Sequence, residues 1–82
     1  MKREQQVLVN RINTLCKEKG LSYYALSYRA TVPLTTLLHV MDGTSGNPGF
    51  STIVKICDGL GITLTEFFAT EEFSKLIRGA EE

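Results

Sequence analysis

Residues 22–43 read Ser22-Tyr23-Tyr24-Ala25-Leu26-Ser27-Tyr28-Arg29-Ala30-Thr31-Val32-Pro33-Leu34-Thr35-Thr36-Leu37-Leu38-His39-Val40-Met41-Asp42-Gly43, and this stretch decides the fold. Ser22 is a good N-cap, because its hydroxyl can accept from a free backbone N–H in the first turn of a helix running toward Arg29. A short break follows at 30–32. Pro33 has a fixed φ suited to a first helical turn and carries no N–H that needs a partner there, so the spacing predicts a further helix over 33–41. Asp42-Gly43 ends it, since glycine takes the left-handed conformation at a helix C-terminus without strain. Two short helices on so tight a connection cross steeply, and the later one projects from the body.

Toward the N-terminus, Val9, Ile12, Leu15 and Cys16 form one apolar stripe, while Arg11, Asn13, Lys17 and Glu18 take the other face. That is the pattern of an amphipathic helix, and Gly20 stops it. Toward the C-terminus, residues 44–49 (TSGNPG) are all turn formers and predict a loop. Ser51 is expected to cap a fourth helix with Ile53, Ile56, Cys57 and Leu60 on one face, closed by Gly61. Thr63-Leu64-Thr65-Glu66 has the form of a capping box and opens a fifth helix with Leu64, Phe67 and Phe68. Phe73, Leu76 and Ile77 repeat helical spacing, which predicts a short sixth segment. No stretch alternates over a strand length, so the architecture is all-α.

With 82 residues the chain allows one domain, and 43% hydrophobic residues supply a core. Lys+Arg and Asp+Glu are 9 each, but unevenly placed. Residues 71–82 hold Glu71, Glu72, Glu81 and Glu82 against Lys75 and Arg78, so residues 1–70 keep a small cationic excess. Cys16 and Cys57 lack metal or redox spacing and read as core thiols. No apolar run approaches the roughly 18 residues of a membrane span, and no signal sequence opens the chain, so a cytoplasmic protein is expected. His39 is the only imidazole and no phosphate-binding glycine loop occurs, which argues against an enzyme. Nothing calls for a cofactor, metal, membrane or small-molecule ligand.

Lys19-Gly20-Leu21-Ser22, Leu26-Ser27, Val32, Thr36-Leu37, Asp42-Gly43, Asn47-Pro48, Ile56-Cys57-Asp58-Gly59-Leu60-Gly61-Ile62 and Glu66-Phe67-Phe68 together resemble the lambda-repressor-like, Cro/C1-type helix-turn-helix domain of the XRE family. The resemblance covers about 9–68. It implies a compact five-helix domain over 1–70, with the helix-turn-helix at 22–42 and an acidic, partly helical extension at 71–82. It also implies a sequence-specific transcriptional regulator of double-stranded DNA, possible as a homodimer, that places helix 33–41 in the major groove. Leu34, Thr35, Leu38 and His39 match the base-reading positions, and Leu37 and Val40 match core positions. Tyr23 stands where a phosphate-contacting Gln is common, and Thr44, Ser45 and Asn47 offer further phosphate contacts.

The sequence departs from the family in three places. Thr31 replaces a turn glycine, so if that position needs φ > 0 the turn is strained or remodelled. Cys16 and Met41 replace an Arg and a Glu that pair beneath the recognition helix, an exchange that strands no buried charge. The reading face has one titratable cation at most, which leaves two alternatives: a protein-interaction module using Leu34 and Leu38, or an antitoxin or accessory factor that needs a partner. Arg11, Lys17, Lys19, Arg29 and Lys55 are expected on solvated faces.

Overall fold

The computed structural model of the chain describes residues 1–44 and 46–76, and the regular structure among them is entirely helical. The order is α1 (Arg3–Lys19), α2 (Tyr23–Ala30), α3 (Leu34–Asp42), α4 (Phe50–Leu60), α5 (Leu64–Phe68) and α6 (Glu71–Ser74). This is the expected all-α, five-helix body with a short helical extension. Ile77, Glu81 and Glu82 lie outside the described residues, as does Ser45.

Each of the first five helices sends one side chain into the centre, where Ile12, Leu26, Leu37, Ile56 and Phe67 are fully buried. The α1 stripe is longer than its clearest periodicity, and Gln5 and Leu8 join Val9, Ile12, Leu15 and Cys16 on the buried face. Gly20 ends α1 at φ 65°, and Leu21 N–H donates to the Cys16 carbonyl at 2.9 Å. At α5 the capping box is formed: Glu66 N–H donates to Thr63 Oγ1 at 3.0 Å, and Thr63 N–H donates to Glu66 Oε1 at 3.2 Å.

Two helix starts differ from the sequence expectation. Pro33 is the N-cap of α3 rather than its first helical residue, with ψ 140°. Its missing N–H and fixed φ suit either position, so sequence alone places the boundary within a residue. Gly49, not Ser51, caps α4, and Ser51 sits inside the first turn. Gly49 takes the extended N-cap backbone at φ −69°, ψ 160° with no side-chain cap, so Ser51 is not needed there.

Helices α2 and α4 meet where Ala30 faces Gly59. A Cβ on Gly59 would fall 2.8 Å from the Ala30 backbone nitrogen and 2.9 Å from its Cα. Backbone cannot yield as a flexible side chain can, so glycine here lets the two helices approach closely. Ser27, buried on the same side of α2, donates from its hydroxyl to the Tyr24 carbonyl at 2.7 Å and leaves no unmet polar group.

The turn between α2 and α3 is not remodelled by its threonine. Thr31 takes the left-handed conformation at φ 58°, ψ 39°, and Val32 N–H still donates to the Ser27 carbonyl at 3.0 Å. Among the described residues Thr31 is the only non-glycine residue with positive φ. A β-branched side chain in this region costs about 1–2 kcal/mol, offset here by the buried Val32 and the helix-end hydrogen bonds. Cys16 and Met41 both lie in the same apolar core, and burial raises the thiol pKa of Cys16 and of Cys57.

Thr31→Gly is predicted to stabilise the chain by about 1 kcal/mol, which raises Tm by roughly 4–8 °C in a domain of this size. Thermal unfolding followed by circular dichroism checks this. An unchanged or lower Tm would mean that the threonine is not strained.

Candidate nucleic-acid interface

Helix α3 has two faces of opposite character. Leu37, Val40 and Met41 are buried and fix it to the body, while Thr35, Leu38 and His39 are exposed and Leu34 is half-buried. These four outer residues fall at i, i+1, i+4 and i+5, so one helix face presents them together. Thr36 is also exposed and adds a hydroxyl beside them. Leu38 is only 39% exposed and Leu34 less, so the apolar part of this face is small and interrupted by polar groups.

The groups around α3 are engaged more than the sequence implied. Tyr23 is half-buried against the core, and its hydroxyl donates to Asn13 Oδ1. Thr44 donates both its N–H (2.9 Å) and its hydroxyl (2.6 Å) to Asp42 Oδ1 at the end of α3. Asn47 is exposed. A phosphate contact from Tyr23 or Thr44 therefore requires each to exchange an existing hydrogen bond, whereas Asn47 needs no such exchange.

Among the cations, Lys17, Lys19, Arg29 and Lys55 are exposed as expected. Arg11 is half-buried and engaged rather than free on a solvated face: its Nε donates to the Phe67 carbonyl and its guanidinium to the Glu66 carbonyl, each at 2.8 Å. It caps the C-terminus of α5 and ties that helix to α1, a role for which cations suit. The start of α4 is a further feature. No side chain caps it, and the Thr52 N–H donates to the Gly49 carbonyl at 3.1 Å, so the N–H groups of Phe50 and Ser51 are the ones that face an anion.

The extension folds back. Helix α6 packs on α1, and Phe73 is half-buried, with its ring 5.9 Å from that of Phe67 and 4.8 Å from that of Phe68. Phe67 and Phe73 thus serve the core, leaving Phe68 39% exposed. Aromatic exposure also occurs at Tyr24 and Tyr28 on α2 and at Phe50 on α4. Among the described residues no group of His, Cys, Asp or Glu could hold a metal, and no helix is long and apolar enough to cross a membrane.

A short helix behind a tight turn, anchored on one face and presenting a mixed, largely exposed outer face, is the geometry of a helix-turn-helix. The model of the Cro/C1-type HTH DNA-binding domain matches residues 11–72, and the chain belongs to that family. No curated protein and no solved structure matches it.

At Asp42 the two hydrogen bonds from Thr44, hydroxyl first and N–H second, hold the carboxyl below its ordinary value, with His39 nearby acting in the same direction. A lowered folded-state value means that the carboxylate's contribution is full above the ordinary Asp pKa of about 3.9 and is lost as pH falls through the lowered value. The Thr44 amide resonance is predicted to titrate with a midpoint below about 3.9, and Thr44→Val should move the Asp42 midpoint up. An Asp42 midpoint at the ordinary value in the parent chain would contradict the contact.

Proposed function

We propose that the chain is a sequence-specific transcriptional regulator that reads duplex DNA with α3 in the major groove. The observation that carries this reading is the outer face of α3, where Thr35, Leu38 and His39 stand exposed over the buried Leu37, Val40 and Met41. Thr35 and His39 hydrogen-bond base edges, and Leu34 or Leu38 meets a thymine methyl. The phosphates on either side are held by Asn47, the open N–H groups of α4 and the exposed cations, with Ser45, Thr44 and Tyr23 as further donors. Residues 1–70 form the binding domain and 71–82 an acidic tail. Such an activity places the chain in the cytoplasm with DNA.

A single helix-turn-helix reads few base pairs, so two copies on half-sites about 34 Å apart supply the affinity and specificity such regulators need. Phe68, still partly exposed after Phe67 and Phe73 are placed in the core, is the part of the aromatic strip left for a symmetry mate. The protein-interaction alternative loses ground on α3, because Leu34 is half-buried and Leu38 is flanked by polar groups.

The test is selection of bound sequences from random duplex DNA with the whole chain. The selected site is predicted to contain two half-sites, with the logarithm of the affinity falling linearly in log salt at a slope of about 0.9 per phosphate contacted. Thr35→Ala with His39→Ala should flatten the sequence preference, because removing a side chain that reads a base costs about 1–3 kcal/mol of discrimination. Unchanged preference after both substitutions contradicts the α3 reading, and a single unrepeated site bound by one copy contradicts the dimer.

A further inference from the structure

The loop that follows α3 is held from α1. Gln5, in the first turn of α1, is only 9% exposed. Its Nε2 donates to the Gly46 carbonyl at 2.8 Å, across a separation of 41 residues, while its Oε1 accepts the Lys2 N–H at 2.9 Å. The Met1 side chain lies over Gly43: a Cβ there would meet Met1 Cε at 3.0 Å and Cγ at 3.1 Å. Gly43 and Gly46 have φ of 80° and 73°. A segment with two left-handed glycines has wide backbone freedom, so holding it in one conformation costs entropy that some contact must offset.

Gln5 and Ser27 are the buried polar side chains of the described residues, and the Ser27 hydroxyl bonds only within its own helix. Gln5 instead reaches the segment that, on the DNA reading, carries the phosphate donors. We propose, resting on that reading, that Gln5 is a positioning residue for DNA binding. Its amide orders the segment around Gly46 in the free protein, so that Asn47 and the neighbouring N–H groups need not be ordered when phosphate arrives. Preorganisation of this kind strengthens binding without adding a contact to the ligand. A residue with a purely structural role would change stability and leave the affinity of the folded protein unaltered.

The experiment uses the full chain and the duplex that the parent selects, at a temperature well below unfolding. Gln5→Met removes both bonds at similar size. Gln5→Glu keeps the acceptor for Lys2 but sets a carboxylate against the Gly46 carbonyl, and Gln6→Glu at the exposed neighbouring position controls for added charge. Gln5→Met and Gln5→Glu are expected to weaken binding roughly three- to tenfold, with Gln6→Glu weaker in effect than Gln5→Glu. The effect of Gln5→Met should shrink when Asn47→Ala is already present, because both act through one loop. Parent-like binding by Gln5→Met, or full independence of the Gln5 and Asn47 effects, overturns the inference while the DNA reading stands. Failure of the parent chain to select any duplex overturns both. Should Gln5→Met not fold, Gln5→Glu against Gln6→Glu carries the comparison.

Discussion

The fold depends on the close approach of α2 and α4 at Ala30 and Gly59, where Gly59 has no room for a Cβ. That contact fixes the C-terminal end of α2, and the next residue is the left-handed Thr31. With α2 held and Val32 buried, the chain has little freedom in where α3 begins. Leu37, Val40 and Met41 then set the rotation of α3 about its own axis, and the outer face follows. Close packing between α2 and α4 thus becomes the aim of α3.

Thr31 shows how much the surrounding structure tolerates to keep this arrangement. Its conformation is one that glycine adopts freely and threonine does not. The helix-end hydrogen bonds from Thr31 and Val32 N–H are both made, so the backbone keeps the turn and the side chain absorbs the cost. Cys16 and Met41 are the opposite case, since two apolar groups in the core leave nothing unpaired.

Much of the fold was legible in the sequence because its signals are local. Apolar spacing gave the buried faces, and Gly20, Gly43, Gly61 and the Thr63–Glu66 box marked boundaries that the structure reproduces. The starts of α3 and α4 were displaced because proline and serine each suit neighbouring positions equally well. For the interface, helical geometry placed Leu34, Thr35, Leu38 and His39 together on one face. What the sequence did not show are polar contacts between distant segments. Gln5 on Gly46 and Arg11 on Glu66 and Phe67 have no period and no motif: Arg11 was expected on a solvated face, and Gln5 carried no signal. The engagement of Tyr23 by Asn13 and of Thr44 by Asp42 was equally invisible, since a hydroxyl's partner depends on packing.

If the outer face of α3 is the surface that meets DNA, amide chemical shifts report it most directly, in a titration of the isotopically labelled chain with the duplex it selects. The largest shifts are predicted on residues 34, 35, 38 and 39 and in the loop around 44–47, with Phe68 affected only through assembly. Shifts concentrated on the exposed Tyr24 and Tyr28 face of α2, with α3 unmoved, would contradict that assignment.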